Sequence, residues 1–325
     1  MLKKISLFLL SGLILLTILA GNYLFYKTQI KISSMPTEAT RLLGDSEGDF
    51  YTSDNARIHY WYYNRGSQIV TVFLHGGPGG STSDLRVIGQ AKSYADTFGS
   101  LLVFDQRGGG QSEKSADLAE SLTYPRMIED INELRAYVIP GQDIVIFGRS
   151  FGGPLAARYA NSNPAGVLGY ILVSPGPFAA NGDILESQRL ALTLSVGEDE
   201  INRIVLEDRA VILQLAAVRG VRDPESIPIP AGEDDGLDFG MAFAKYGGYF
   251  TQDEYPALAA LNNVPTLIVY GSYDTQVPPL SVEAMKPYLP NATFLELPGG
   301  HGAAYAHEKE FFTAIQTLFD KINEQ

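Results

Sequence analysis

The sequence predicts an α/β protein, with a mainly parallel sheet that is covered by helices on both faces. Short runs of β-branched and other apolar residues alternate with segments whose apolar residues recur at helical spacing. One of these runs turns through a serine between two glycines directly into a helical segment. The alternation stops at residues 176–261, which indicates an insertion into the α/β domain. Strands that are joined by helices run parallel, and both faces of their sheet are buried.

Composition limits the classes of partner and of chemistry. The 325-residue chain has a formal net charge of -13, and such an acidic surface argues against nucleic acid as a partner. The chain contains no cysteine, which excludes disulfides, a thiol nucleophile and thiolate metal sites. The candidates for a histidine-dependent mechanism are four: His59, His75, His301 and His307. Neither composition nor pattern predicts an oligomeric state.

Residues 5–26 contain no charged side chain. At about 1.5 Å per residue, a helix of this length spans roughly 33 Å, which is enough to cross the hydrocarbon core of a bilayer. A cleaved signal peptide would have a shorter apolar region and a small-x-small cleavage site, whereas Ile18 lies three residues before a cut after Ala20. We therefore predict a transmembrane signal anchor at residues 1–27, with the following domain outside the cytoplasm. Cleavage, which would give a secreted protein, is the alternative.

Residues 28–47 are polar and are predicted to form a linker to the α/β core, which comprises residues 48–175 and 262–325. The first predicted strand, residues 56–63, follows an Asp54-Asn55 turn and is assigned to an edge of the sheet. His59 lies in this strand and is interpreted as structural. The other predicted strands are residues 69–74, 101–104, 143–147, 167–173, 266–270 and 293–297. The predicted helices of the core are residues 124–137, 154–160 and 307–322.

The insertion at residues 176–261 is predicted to form a mostly helical cap. Residues 198–218 have apolar side chains at helical spacing, and a loop rich in proline and acidic residues follows them. The insertion begins just after the strand that follows the serine turn, so we expect it to cover the carboxyl end of the sheet. An insertion elsewhere on the surface is the alternative.

The segment Gly148-Arg149-Ser150-Phe151-Gly152 lies at the predicted strand-to-helix corner. A serine in this context is typical of the nucleophile elbow of α/β hydrolases, where a strained turn lifts the hydroxyl clear of the backbone. A Cβ at Gly148 or Gly152 would clash with the crossing strand and helix. We therefore predict Ser150 as a nucleophile and the N–H of Phe151, at the helix start, as an oxyanion donor. A glycine-rich turn that only packs a helix onto a sheet is the alternative.

A serine nucleophile needs a general base, and the base needs an orienting acid. In α/β hydrolases these follow in the chain order serine, acid, histidine. His301 lies in a glycine-rich loop just after the last predicted strand, whereas His307 is predicted to lie at a helix start. Asp274 follows the preceding predicted strand, where a turn-capping role is the alternative. The predicted catalytic residues are Ser150, Asp274 and His301.

The sequence His-Gly-Gly-Pro-Gly at residues 75–79 follows another predicted strand. Residues without side chains let the backbone approach a substrate carbonyl, and we predict the N–H of Gly77 as the second oxyanion donor. His75 is interpreted as a residue that braces this loop. Such a mechanism requires no metal and no organic cofactor, and His307-Glu308 lacks the second histidine of the H-E-x-x-H zinc motif.

The segment at residues 75–79 and the sequence Asp-Gln-Arg-Gly-Gly-Gly-Gln-Ser at residues 105–112 resemble the prolyl aminopeptidase (proline iminopeptidase) group of the α/β-hydrolase superfamily. With the elbow, Asp274 and His301, the resemblance spans about residues 50–322. It implies the α/β-hydrolase fold, a triad of Ser150, Asp274 and His301, and oxyanion donors at Gly77 and Phe151. It also implies that residues 105–112 form a supporting loop and that the activity removes N-terminal residues, often proline, from peptides.

The resemblance is incomplete in the cap. Caps of this group supply glutamates, often near Trp-Glu pairs, that hold the free amine of the substrate. The only tryptophan in this chain is Trp61, which lies outside the predicted cap. Candidate amine-binding carboxylates of the cap are Glu198, Glu200, Glu207, Glu225 and Glu233.

The sequence thus predicts a membrane-anchored serine hydrolase, an aminopeptidase that acts on short peptides or amides. The missing tryptophan of the cap motivates a second hypothesis, a carboxylesterase or lactonase with the same triad. A non-catalytic binding module on the hydrolase scaffold is the third. The predicted partners are a small peptide, amide or ester substrate and, through residues 1–27, a membrane.

Overall fold

The apolar runs of the sequence form the strands of one mixed sheet. The computed structural model describes residues 46–77, 79–82, 90–113, 122–176, 255–272, 274, 277 and 279–325. In this part of the chain the strands are β1 (Ser46–Tyr51), β2 (Arg57–Tyr63), β3 (Ile69–Leu74), β4 (Leu101–Phe104), β5 (Asp143–Arg149), β6 (Val167–Val173), β7 (Thr266–Gly271) and β8 (Thr293–Leu297). They lie in the order β1-β2-β4-β3-β5-β6-β7-β8. Strands β3 to β8 are parallel, and β2 is antiparallel to both of its neighbours.

Helices cover both faces of this sheet. In the described residues they are α1 (Gln90–Phe98), α2 (Tyr124–Val138), α3 (Gly152–Asn161), α4 (Pro279–Glu283), α5 (Ala303–Ala306) and α6 (Glu308–Asn323), with 3₁₀ segments at Tyr255–Asn263 and Lys286–Tyr288. Helices α2 and α3 pack with one set of alternate strand residues, and α1 and α6 pack with the other set on the opposite face. Successive side chains of a strand point to opposite faces of the sheet. Because the strand residues on both faces are apolar, each face has its own apolar core. The predicted α/β architecture is confirmed.

Helix α2 shows how local sequence sets an element. Thr123 is its N-cap, and its side-chain oxygen accepts a hydrogen bond from the N–H of Arg126 at 3.4 Å. A proline follows in the first turn, where its missing N–H costs no helical hydrogen bond. Met127, Ile131 and Leu134 are buried, as expected for one apolar face.

The edge of the sheet differs from the prediction. The sequence predicts an edge strand at residues 56–63, but β1 pairs antiparallel with β2 (Arg57–Tyr63) and occupies the edge instead, so this prediction was wrong. Strand β1 also includes residues 46 and 47, which were assigned to the linker. Polar contacts with β2 hold it: Trp61 Nε1 donates to Glu47 at 2.9 Å, and Asp49 lies 2.8 Å from His59 Nδ1. His59 is therefore structural, as predicted.

The predicted anchor and most of the predicted cap lie outside the part of the chain that the structure describes. The predicted anchor, residues 1–27, lies outside the described residues, and so do residues 177–254 of the predicted cap. The described end of the cap segment, from residue 255, belongs to a 3₁₀ helix. Where the chain is described, no helix combines the length and the apolarity that crossing a bilayer requires.

Candidate active site

The predicted site residues lie at one edge of the sheet. Strand β3 lies between β4 and β5, so the chain order of the strands reverses at β3. In open α/β sheets, ligands bind in the crevice outside the carboxyl ends of the strands at such a reversal, which here lies between β3 and β5. The loops after β3 and β5 carry the glycine-rich segment and Ser150, and those after β7 and β8 carry Asp274 and His301.

Ser150 sits on a strained turn between β5 and α3. Its φ of 49° lies in the left-handed region, which an L-residue with a side chain rarely adopts. Three backbone hydrogen bonds hold the turn: Ser150 N donates to Val173 O at 2.9 Å, and its carbonyl accepts from Gly153 N at 2.8 Å and from Gly176 N at 3.1 Å. Hydrogen bonds to β6 on one side and to α3 on the other thus hold the strained backbone conformation of Ser150.

The two glycines of the turn are required by close packing. A Cβ at Gly148 would overlap the carbonyl of Gly152, and a Cβ at Gly152 would overlap the carbonyl of Leu74. The sequence predicted both clashes. Phe151 lies between them, at the N-cap of α3, and its buried ring stacks on Tyr124 with the centroids 5.8 Å apart. The backbone of Phe151 therefore lies at the positive end of α3.

Asp274 and His301 form a buried pair. His301 Nδ1 lies 2.7 Å from Asp274 Oδ2, and the two side chains are 4% and 0% exposed. The other carboxylate oxygen, Oδ1, accepts a hydrogen bond from Val277 N at 2.9 Å. Because a carboxylate only accepts, the proton of the imidazole lies on Nδ1 and Nε2 is the basic nitrogen. By accepting from Val277 N, Asp274 also caps the turn that follows it, which is the alternative role that the sequence offered.

The His301 segment and the Ser150 turn lie against each other. The guanidinium carbon of Arg149 lies 5.2 Å from the centroid of the Tyr305 ring. Arg149 immediately precedes Ser150, and Tyr305 lies in α5, four residues after His301. The last residue of β7, Gly271, also meets the His301 loop, since a Cβ there would overlap the carbonyls of Gly299 and Gly300.

The glycine-rich loop after β3 lies beside the serine. A Cβ at Gly76 would lie 3.1 Å from Ser150 Cβ and 3.6 Å from Ser150 Oγ. Gly77 has a φ of 135°, and a Cβ at this position would approach Gly80 N to 2.6 Å. The loop thus needs residues without side chains both for its own turn and for its approach to Ser150.

His75 braces this loop, as the sequence predicted. Its Nε2 accepts a hydrogen bond from Gln106 N at 2.8 Å, and its Nδ1 lies 2.7 Å from Gly76 O. The Gln106 side chain donates in turn to His75 O at 2.9 Å. An Nε2 that accepts from a backbone N–H carries no proton, so the histidine is neutral and Nδ1 donates to Gly76.

Asp105 is a site-supporting residue that sequence reasoning did not single out. It is fully buried, and its Oδ1 accepts from both N and Oγ1 of Thr82, at 2.7 and 2.9 Å. Its Oδ2 accepts from Gln111 N at 2.7 Å. A Cβ at Gly110 would overlap the Asp105 carboxylate. The available signal was the sequence Asp-Gln-Arg-Gly-Gly-Gly at residues 105–110, which belongs to the loop that the family resemblance marks as supporting.

Arg107, two residues after Asp105, also holds the segment that follows β4. Its buried guanidinium makes two hydrogen bonds to Asp130, at 2.6 and 2.7 Å, and two to Asp54, at 2.9 and 3.0 Å. Hydrogen bonding from Arg107 lowers the pKa of Asp54 below its ordinary value. Residues 105–107, directly after β4, are therefore held by contacts with His75, with Thr82 and with two aspartates.

Comparisons with known proteins agree with this architecture. A family model described as the α/β hydrolase fold matches residues 70–195. Proline iminopeptidase of Xanthomonas citri is 30% identical over 270 residues, which cover 71% of this chain and 83% of that protein. Proline iminopeptidase of Arabidopsis thaliana is 26% identical over 300 residues, which cover 79% of this chain and 75% of that protein.

A solved structure, that of proline iminopeptidase from Mycobacterium smegmatis, matches the fold with a TM-score of 0.66. It is 17% identical and covers 86% of this chain and 99% of its own. The sheet order, the strained serine turn and these matches define an enzyme of the α/β-hydrolase fold, in the class of serine hydrolases. Within that superfamily, the chain belongs to the proline iminopeptidase family.

Proposed function

We propose that this enzyme is an aminopeptidase of the proline iminopeptidase type, which uses Ser150, His301 and Asp274 to release N-terminal residues from short peptides or amides. The buried contact between His301 Nδ1 and Asp274 Oδ2, at the sheet edge where Ser150 occupies a strained turn, is the observation that carries the proposal. The names of its relatives support proline as the released residue.

In the proposed first step, Ser150 Oγ attacks the carbonyl carbon of the first peptide bond, and its proton passes to His301 Nε2. Asp274 keeps the second imidazole proton on Nδ1 and stabilises the imidazolium that forms. The negative charge on the carbonyl oxygen is stabilised by the N–H groups of Phe151 and Gly77. The carbon–nitrogen bond then breaks, and the imidazolium gives its proton to the leaving amine.

In the second step, water attacks the ester that joins the acyl group to Ser150. His301 takes a proton from this water and returns it to Ser150 Oγ as the ester bond breaks. The free enzyme and the released acid, which is proline in the proposed case, are the products.

Turnover and covalent labelling of a serine variant test this proposal. The wild-type chain is expected to release proline from proline β-naphthylamide and to be labelled by a fluorophosphonate probe. Ser150→Ala is expected to abolish both, because the probe and the substrate need the same oxygen. Ser162→Ala, at an exposed position after α3, is the matched control and keeps both. Labelling of the Ser150→Ala protein would exclude Ser150 as the nucleophile.

A second candidate function keeps the triad and replaces the peptide by an ester or lactone. It is favoured by the position of Trp61, which is buried in β2 and donates its N–H to Glu47, so it takes no part in amine recognition. Comparing proline β-naphthylamide with its N-acetyl derivative and with short p-nitrophenyl esters separates the candidates. A strong requirement for the free amine supports the aminopeptidase, and indifference to it supports the esterase.

We also propose that residues 1–27 anchor the enzyme in a membrane with the hydrolase domain outside the cytoplasm. The uncharged run at residues 5–26 supports this proposal. Sequencing the N-terminus of the mature protein tests it, because a start near residue 21 would show cleavage and leave no anchor.

A further inference from the structure

Arg149 brings a positive charge to the proposed nucleophile. It is the last residue of β5, directly before Ser150, and it is half-buried. The space that a Cβ at Gly76 would occupy lies 3.6 Å from Ser150 Oγ and 3.7 Å from Arg149 Nη1. The guanidinium and the nucleophilic oxygen therefore border the same small space beside the glycine-rich loop. Arginine is always protonated at physiological pH, so this is a fixed cation.

Arg149 contacts the segment that follows His301. Its guanidinium packs on the ring of Tyr305 at 5.2 Å. Tyr305 lies in α5, the short helix that follows His301, and its backbone N–H donates to Gly302 O at 2.8 Å. A guanidinium carries its N–H donors in one plane, in a fork that matches the two oxygens of a carboxylate.

The proposed mechanism places the leaving side of the substrate next to this position. In the proposed mechanism the leaving amine must reach His301 to receive a proton, so the residue after the broken bond lies towards the His301 segment. In a dipeptide, the terminal carboxylate is separated from the broken carbonyl carbon by only the amide nitrogen and one further carbon. It therefore enters the region that Arg149 and Tyr305 border.

We propose that Arg149 binds the terminal carboxylate of a dipeptide whose first residue is released, so that dipeptides are the preferred substrate class. This inference rests on the proposed aminopeptidase function and adds to it the length of the substrate and the residue that selects it. A longer peptide places a neutral amide where a dipeptide has its carboxylate, and it therefore lacks the charged contact with Arg149.

The test compares prolylglycine with prolylglycinamide, which differ only in that charge. A hydrogen bond between charged groups is worth roughly ten- to a hundredfold in kcat/KM, so the wild-type ratio of acid to amide is expected to reach that range. Arg149→Gln is expected to bring the ratio to about one, and Arg149→Lys to preserve part of it because a point charge remains. The ratio cancels any general loss of turnover.

Arg65→Gln is the matched control. Arg65 pairs with Asp96 on the surface, beyond the carboxyl end of the antiparallel β2 and hence at the sheet end opposite Ser150, so its variant keeps the wild-type ratio. If Arg149→Gln has no turnover, the dissociation constants of the two compounds are compared in Ser150→Ala with and without the Arg149→Gln change.

The outcomes separate this inference from the proposed function. Release of proline from both compounds at equal efficiency, or a ratio that survives in Arg149→Gln, would overturn the role of Arg149 and leave the aminopeptidase intact. No release from either compound, with turnover of an ester, would overturn both.

Discussion

Two histidines are buried at the same edge of the sheet, and their hydrogen bonds differ in kind. His301 contacts the carboxylate of Asp274 through Nδ1. His75 uses both ring nitrogens on the backbone, with Gly76 O and Gln106 N as partners. A carboxylate stabilises a protonated imidazole, whereas a backbone N–H that donates to Nε2 excludes one. The same side chain is therefore suited to proton transfer in one place and to holding a loop in the other.

The His75 contacts are one end of a longer chain of bonds. Gln106, which His75 holds, is followed by Arg107, whose guanidinium is fixed by Asp130 and Asp54. Asp105, which precedes Gln106, holds Thr82 at the other end of the glycine-rich loop. His75 thus belongs to a rigid support for the proposed oxyanion donor at Gly77, while His301 belongs to the proposed reacting groups.

The largest expected loss of turnover follows substitution of His301. His301→Gln removes the proposed base while it keeps a polar side chain at the position, and kcat is expected to fall on the order of 10⁶-fold. Asp274→Asn is expected to cost ~10⁴-fold, because an amide facing Nδ1 favours the wrong tautomer. Rates on proline β-naphthylamide measure both, and circular dichroism verifies the fold. A His301→Gln enzyme within tenfold of wild type would mean that another group takes the proton.

The second prediction concerns His75. His75→Leu removes the acceptor of the buried Gln106 N–H, so the free energy of unfolding is expected to fall by about 1–3 kcal/mol. Turnover is expected to fall by less than the ~10²–10³ that follows the loss of an oxyanion donor, because the donor is displaced and not removed. Urea unfolding and steady-state kinetics measure the two effects.

His75→Gln is the matched control for that substitution, since its amide oxygen offers an acceptor to Gln106 N. It is expected to recover part of the lost stability. If His75→Leu instead abolished turnover without affecting unfolding, His75 would be a reacting group and the contrast between the two histidines would disappear.

This contrast also shows what the sequence alone was able to predict. Ser150, Asp274 and His301 were found because a nucleophile, an acid and a base must follow particular strands in a particular order, and the structure shows the His301–Asp274 contact. Their catalytic roles stay predictions. The β-branched runs likewise located the parallel strands, because burial on both faces demands them.

Elements held by long-range polar contacts were not predictable in the same way. Strand β1 has only Phe50 buried and so lacks an alternating pattern, and its antiparallel pairing with β2 is accompanied by side-chain contacts such as that of Trp61 with Glu47. The hydrogen bond between Asp105 and Thr82 joins two residues that are 23 positions apart in the sequence. Such contacts leave no periodic signal in the sequence, and the supporting loop was recognised only by its family resemblance.

The smallest expected effect lies at the far end of the His75 support, at Asp54. Its carboxylate bonds to Arg107 at 2.9 Å and its side chain is 34% exposed. The lowered pKa of Asp54 in the folded protein means that its ion pair stabilises the fold at neutral pH and that this contribution is lost as the pH falls below the ordinary aspartate value of 3.8. Asp54→Asn is therefore expected to lower the free energy of unfolding at pH 7 by up to about 1 kcal/mol, since a partly exposed pair is screened by solvent.

Urea titrations at pH 7 and near pH 3 measure the difference in the free energy of unfolding between the Asp54→Asn variant and wild type. The difference should shrink at the lower pH, and an equal difference at both would show that Asp54 acts through its shape and its neutral hydrogen bonds, and not through its charge.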